Sequence, residues 1–343
     1  MAKGLFTQGM CVLLRSPVAL AELQDKLSAF DMIGVQESAV DGASPETLVM
    51  SFRPEVGGHL LVTPSTEKWP DQMGDPETAP DVFVAWSLGQ FGPLAFPGCL
   101  ERAAEQSWGW EDGEDVPQQH TSHIRLLISY VLGADESEQD DDDSDDVVLI
   151  PDDYDPVAEL RFLTKAVSAL LELPQAICYF NPGGEVLRDQ NGLRQGLNYA
   201  WNYELPPLDM WTNVRLFRVD ESWALMDTVG MGQLDMPDME AVYDTDRYEP
   251  AEVERFLRNA SLYLMSTDEE FEEGDVADGP GDISWNAIEC EESLSDPPRE
   301  TIRWFPDDGS DPPEVLMRRT GDDDDDDPYD EEPEDLDDEA FEL

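Results

Sequence analysis

Residues Ala158–Phe180 read AELRFLTKAVSALLELPQAICYF, a helix followed at once by a strand. Leu160, Leu163, Val167, Leu170 and Leu171 recur at three- and four-residue spacing, one face of an amphipathic helix. Asp155-Pro156 just upstream supplies an N-cap and a first-turn proline. After Pro174 the pattern changes to the short apolar run Ala176–Phe180, which predicts a strand ended by the turn signal Asn181-Pro182-Gly183-Gly184. A helix feeding a strand through a short connection points to a mixed α+β fold.

The same grammar extends in both directions. Upstream, Met10–Leu14 reads as a buried strand, and Ser16-Pro17 predicts the start of a helix carrying Leu20, Leu23, Leu27 and Phe30. Thr47–Phe52 and His59–Thr63 are strand-like around the connection RPEVGG, Asp81–Ser87 (DVFVAWS) reads as another strand, and Leu94–Ser107 as a helix despite Pro97. Trp108–Gln119 is polar and reads as a loop, and His123–Leu132 (HIRLLISYVL) as a strong strand. Downstream, Asn213–Val219 and Ser222–Thr228 form a hairpin pattern around Asp220-Glu221, and Pro250–Met265 is amphipathic. Ile283–Ile288 and Thr301–Phe305 complete the strands. The expected architecture is two loosely similar α+β lobes, each a mixed or antiparallel sheet with helices on one face. The first lobe spans 1–119 and the second 120–306, with an acidic insert at 135–153 and a disordered acidic tail at 307–343.

Charge restricts the partners. The 343 residues hold 79 acids against 20 bases, a formal net charge of −59. Nine acids lie in Asp135–Asp146 and fifteen in Gly321–Leu343, leaving 55 acids against the same 20 bases in the body, so acidity belongs to the folded surface as well. Such a field repels nucleic-acid phosphates and anionic lipid, and favours a basic or apolar partner. Only four bases are lysines, a pattern also produced by adaptation to high salt. Cys11, Cys99, Cys178 and Cys290 form no Cys-x-x-Cys pair, and no apolar run is long enough to span a membrane or to act as a signal peptide. The expected location is cytoplasmic.

Four segments carry a family likeness: GMCVLL (Gly9–Leu14) with the helix after it, Ala158–Phe180, MDTVGMGQLDMPDMEAVY (Met226–Tyr243) and DGPGDISWN (Asp278–Asn286). Together they resemble the bacterial family of unknown function DUF4261, over most of residues 5–305. The most specific part is the pattern DT-x-G-M followed by L-x-M-P-D-x-E. The resemblance implies a bacterial, soluble, intracellular protein, and transfers no catalytic residues, because the family has no established activity.

Candidate chemistry is sparse. Asp227, Asp238 and Glu240 cluster in that pattern beside Gly230 and Gly232. Paired carboxylates can do acid–base work or bind a divalent cation, whereas the structural alternative has Asp227 ending a strand and Asp238 capping a short helix that begins near Met239. His120 and His123 have a spacing that shares a metal on a helix turn but diverges on a strand. No nucleophile elbow, phosphate loop or dinucleotide fingerprint occurs, and no cofactor is expected. Trp201, Tyr203 and Trp211 flank Pro206-Pro207 and are candidates for an interface or for core packing. The composition favours a non-enzymatic binding protein, possible kin in type to immunity proteins, facing a basic protein partner. The alternative is a carboxylate- or metal-dependent enzyme acting on a small substrate.

Overall fold

The computed structural model describes residues 3–36, 46–132, 150–267 and 269–318. The acidic insert up to residue 149 and the tail from residue 319 lie outside the described residues, so the expected disorder there is not addressed.

Two sheets organise the chain. The first contains β1 (Gln8–Leu14), β2 (Met32–Gln36), β3 (Thr47–Ser51), β4 (His59–Ser65), β5 (Ser122–Ser129), β6 (Ala176–Asn181) and β7 (Val186–Arg188). Its order is β2-β3-β4-β5-β1-β6-β7 with antiparallel pairing throughout. The second contains β8 (Asn213–Arg218), β9 (Trp223–Val229), β10 (Asp238–Asp244), β11 (Val276–Gly279), β12 (Ile283–Cys290) and β13 (Thr301–Pro306), in the order β11-β12-β13-β10-β9-β8. Here β13 returns parallel to β10. The helices are α1 (Leu20–Lys26), α2 (Pro80–Ser87), α3 (Cys99–Glu105), α4 (Pro156–Leu170), α5 (Gln190–Asn202), α6 (Leu208–Trp211), α7 (Pro250–Ser266) and α8 (Glu314–Met317). None is long and apolar enough to cross a membrane.

The α+β class is as expected, and the sheets divide the chain at a different place. Strand β5, expected in the second lobe, lies between β4 and β1 of the first sheet. The division between sheets therefore falls between Arg188 and Asn213, not at 119/120. The physical reason lies in β1: every residue of Gln8–Leu14 is buried, so this strand needs a neighbour on each edge and a layer on each face. Met10, Val12 and Leu14 join the core under α1, α4 and α5. Cys11 and Leu13 join a second core under α2 and α3. The second sheet packs the long α7 on one face and sets only the one-turn α8 against part of the other; the first sheet carries helices on both faces.

Three local expectations change. Asp81–Ser87 is helix α2, not a strand; Val82 and Trp86, four residues apart, face the same core, and Pro80 opens the helix. Ser16-Pro17 does not cap α1, which begins at Leu20 after an extended stretch and has no side-chain cap. Residues 307–318, expected in the tail, are folded, with Leu316 buried against the second sheet. The Asp155 cap is as expected, its carboxylate accepting from the Ala158 N–H at 2.9 Å.

Where the sheets meet, only glycine fits. A Cβ on Gly184 would stand 1.8 Å from the Trp211 carbonyl oxygen, and one on Gly230, at φ 115°, 2.7 Å from Gly184 Cα. This close approach fixes the end of β6–β7 against the end of β9.

Candidate functional site

One register row crosses four strands of the second sheet. Arg215 on β8 pairs with Asp227 on β9, Asp227 with Glu240 on β10, and Glu240 with Arg303 on β13. Side chains alternate across a sheet, so the neighbours of this row, Met226, Ala241 and Ile302, face α7, and the row itself faces away. Its four residues are all at most 1% exposed.

Buried charges need partners, and each has one. Arg215 grips Asp227 through Nε to Oδ1 at 3.0 Å and Nη2 to Oδ2 at 2.6 Å. Its Nη1 donates to Glu185 at 2.9 Å and to the Asp296 carbonyl at 2.7 Å. Arg299 donates to Asp227 Oδ2 at 2.6 Å and stands 3.3 Å from Asp238. Arg303 donates to Glu240 Oε2 at 2.7 Å, while Glu240 Oε1 accepts from the Leu294 N–H. Arg102 of α3 closes the set on Glu185 at 2.7 Å. Burial opposes ionisation of Asp227, but Arg215, Arg299 and the Ser295 hydroxyl outweigh it and hold its carboxyl below the ordinary value. At Glu240 burial wins over Arg303 and pushes the carboxyl up.

The motif residues thereby acquire structural work. Asp238 does not cap a helix; it opens β10 and ties the β9–β10 connection through Thr228 Oγ1 at 2.7 Å and the N–H groups of Met231 at 3.1 Å and Gly230 at 3.2 Å. Thr228 Oγ1 in turn accepts from the Met239 N–H at 2.8 Å. The structure thus brings Asp227, Asp238 and Glu240 together on one face and commits each to arginine or backbone. Among the described residues no three His, Cys, Asp or Glu side chains stand close enough to hold a metal ion. Over this network opens a cleft of about 760 Å³, lined by Arg102, Arg215 and Arg303 together with Phe217, Leu225 and Leu316.

The histidines are not paired on a metal geometry. His120 Nδ1 faces the Pro117 carbonyl at 2.6 Å and Nε2 accepts from the Trp69 N–H at 2.9 Å, which sets a neutral Nδ1–H tautomer. His123 Nδ1 faces the Glu67 carbonyl at 2.9 Å, and burial pushes its pKa down to about 3. Both rings fasten the 67–69 segment to β5.

The aromatic candidates separate. Trp211 is fully buried and donates from Nε1 to Thr164 Oγ1 at 3.0 Å, so it belongs to the core. Trp201 and Tyr203 at the end of α5 are 84% and 64% exposed, beside Tyr199, whose ring lies 4.6 Å from that of Tyr203.

Sequence reasoning missed Arg102, Glu185, Arg215, Arg299 and Arg303. A signal existed: bases are scarce in this chain, and Arg215 and Arg303 sit inside the apolar strands NVRLF and TIRWF, where an arginine must find a buried anion.

Fold and site together define an α+β protein whose second sheet is braced by a buried arginine–carboxylate network. Residues 227–305 match the profile of a domain of unknown function (DUF4261), a stretch that begins at Asp227 and contains Asp238, Glu240, Arg299 and Arg303. No curated protein and no solved structure matches the chain.

Proposed function

We propose that this protein is a non-enzymatic binding protein that presents an acidic surface and the α5 aromatic cluster to a basic protein partner, in the manner of proteins that neutralise cationic toxins. The observation that carries this reading is Trp201, 84% exposed and flanked by the exposed Tyr199 and Tyr203, in a chain of formal net charge −59. Exposed aromatics in a charged surround are the usual anchors of protein interfaces, and opposite fields accelerate encounter. The buried thiols Cys11, Cys99, Cys178 and Cys290 are in keeping with a reducing cytoplasm. The competing reading, an enzyme built on Asp227, Asp238 and Glu240, is disfavoured because each carboxylate is already neutralised by arginine or backbone N–H groups.

Affinity capture with the full-length protein, followed by kinetics on the protein captured, tests the proposal. A partner of high isoelectric point is expected, with an association rate that falls as salt rises and a dissociation rate that climbs in Trp201→Ala. Absence of any basic partner, or salt-independent association, rejects it.

A further inference from the structure

A second cleft, of about 380 Å³, opens between the edge strands β7 and β8 and is lined by Trp108, Arg188, Val214, Leu216, Pro250 and Arg258. Arg188, the last residue of β7, is 9% exposed. Among the described residues its guanidinium makes one hydrogen bond, to the Leu187 carbonyl at 2.7 Å, and holds no carboxylate. That is unusual company in this molecule, where Arg102, Arg215, Arg299 and Arg303 each grip an acid. Arg125, half-buried and also without an acid among the described residues, is met by the Gln90 carbonyl and the Phe91 ring. Burial pushes the Arg188 guanidinium down from its ordinary value, and the Arg258 charge adds to this against the attraction of Asp209. Asp209 and Glu254, the acids nearest the cleft, are already bound by Arg258.

The surroundings are shaped around this cation. Gly109 leaves the guanidinium room that a side chain would take, since a Cβ there would stand 2.8 Å from Arg188 Cζ. Pro250 and Ala251 bring the first turn of α7 to the cleft, and no side chain caps that helix. Helix N-termini favour negative charge, so the turn adds to the pull of Arg188. Val214, Leu216 and Met226 give the wall an apolar part, beside the polar Asn213, Arg215 and Glu254.

We infer that this cleft binds a small monocarboxylate with an apolar body, its carboxylate held by Arg188 at the first turn of α7 and its body laid between Trp108 and the β8 side chains. Among the described residues Arg188 is the cleft cation that no carboxylate grips, which calls for a single negative charge, and the strongly acidic molecule disfavours a phosphate dianion. The volume suits a ligand at the small end of ordinary pockets.

The test is a titration of the full-length protein with benzoate, phenylacetate and 4-methylpentanoate, read by the Trp108 indole N–H and Arg188 Nε–H signals in ¹H–¹⁵N spectra. At least one carboxylate is expected to shift both signals saturably, with a dissociation constant on the order of 1 mM, and Arg188→Met to weaken it at least about tenfold. Benzamide, the neutral isostere of benzoate, should bind markedly less tightly than benzoate does. If Arg188→Met does not fold, the benzamide comparison on the unaltered protein and the charge-retaining Arg188→Lys carry the test. The inference is overturned if none of the three acids gives a saturable shift, if benzamide matches benzoate, if binding survives Arg188→Met, or if inorganic phosphate binds more tightly than every carboxylate.

Discussion

The two sheets solve the burial of their faces in opposite ways. The first excludes water from both faces with apolar side chains: β1 gives Met10, Val12 and Leu14 to one core and Cys11 and Leu13 to the other. The second is apolar only toward α7, and its other face carries the row Arg215, Asp227, Glu240, Arg303 beside a small apolar patch of Leu225, Val242 and Leu316. An apolar face tolerates volume-conserving exchange, because dispersion and transfer are non-directional. A buried ionic row tolerates little, because removing one member strands the rest. The second sheet is thus held to one register by charge, in a molecule whose surface charge is almost all of one sign.

The largest break is Asp227→Ala. It leaves Arg215 and Arg299 facing each other without their shared anion, and should cost about 3–5 kcal/mol in denaturant melts at pH 7. The matching break in the first core is Trp211→Ala, of similar size, about 3–5 kcal/mol. The two differ in how they couple. Arg215→Met combined with Asp227→Ala should cost clearly less than the two single losses together, whereas Trp211→Ala should add to either. Additive losses at Arg215 and Asp227 would contradict the account of the row as one unit.

Titration gives Asp227 of the second sheet and Glu159 under the first opposite signs. Asp227 is held below its ordinary value of 3.8, so its contribution is present above that pH and is lost as pH falls through the lower folded value. Glu159, under the first sheet, is fully buried, with Oε1 accepting from the Tyr130 hydroxyl at 2.6 Å and Oε2 meeting no hydrogen-bond partner among the described residues. Burial first of all pushes its pKa up from 4.5 to about 7. Between those values the folded protein keeps a proton that the unfolded chain releases, so stability falls as pH rises through the window. Glu159→Gln should remove this slope and add on the order of 2–3 kcal/mol at pH 8, with no gain at pH 4. A variant no more stable than the parent at pH 8 would show that Glu159 is ionised and compensated in the folded state.

How legible each sheet was follows from the same contrast. Apolar runs named β1, β5 and β6, and helical spacing named the face of α4, because the first sheet's cores are written in residue type. The same reading mistook Asp81–Ser87 for a strand, since the five apolar or small residues Val82–Trp86 have no period of their own and only the packing of Val82 and Trp86 on one side selects the helix. It also placed the lobe boundary at 119/120, because strand order is set by long-range pairing that local pattern does not record. In the second sheet the carboxylates Asp227, Asp238 and Glu240 were visible as a group, but their meaning depended on arginines twelve and more residues away in sequence. Composition held a partial clue in the choice of arginine over lysine, the side chain suited to bidentate grip on a carboxylate.

The smallest effect on stability belongs to Trp201, the most exposed large hydrophobic side chain among the described residues. Trp201 and Trp211 lie ten positions apart on either side of Pro206-Pro207, and sequence alone gave them the same reading. Helix α5 ends at Asn202, ahead of Glu204 at φ 55°, and Pro207 stands at the N-cap of the short α6, which turns Trp211 inward onto Thr164 and leaves Trp201 outside. Removing an indole that touches little should leave folding within about 0.5 kcal/mol of the parent, against several for Trp211. If Trp201 is an interface anchor, its cost appears instead in the complex, as a loss of about 2 kcal/mol or more of binding free energy. A Trp201→Ala variant that melts like the parent and still binds its partner as tightly would assign the exposed cluster to no interface, and would leave the acidic surface alone to account for recognition.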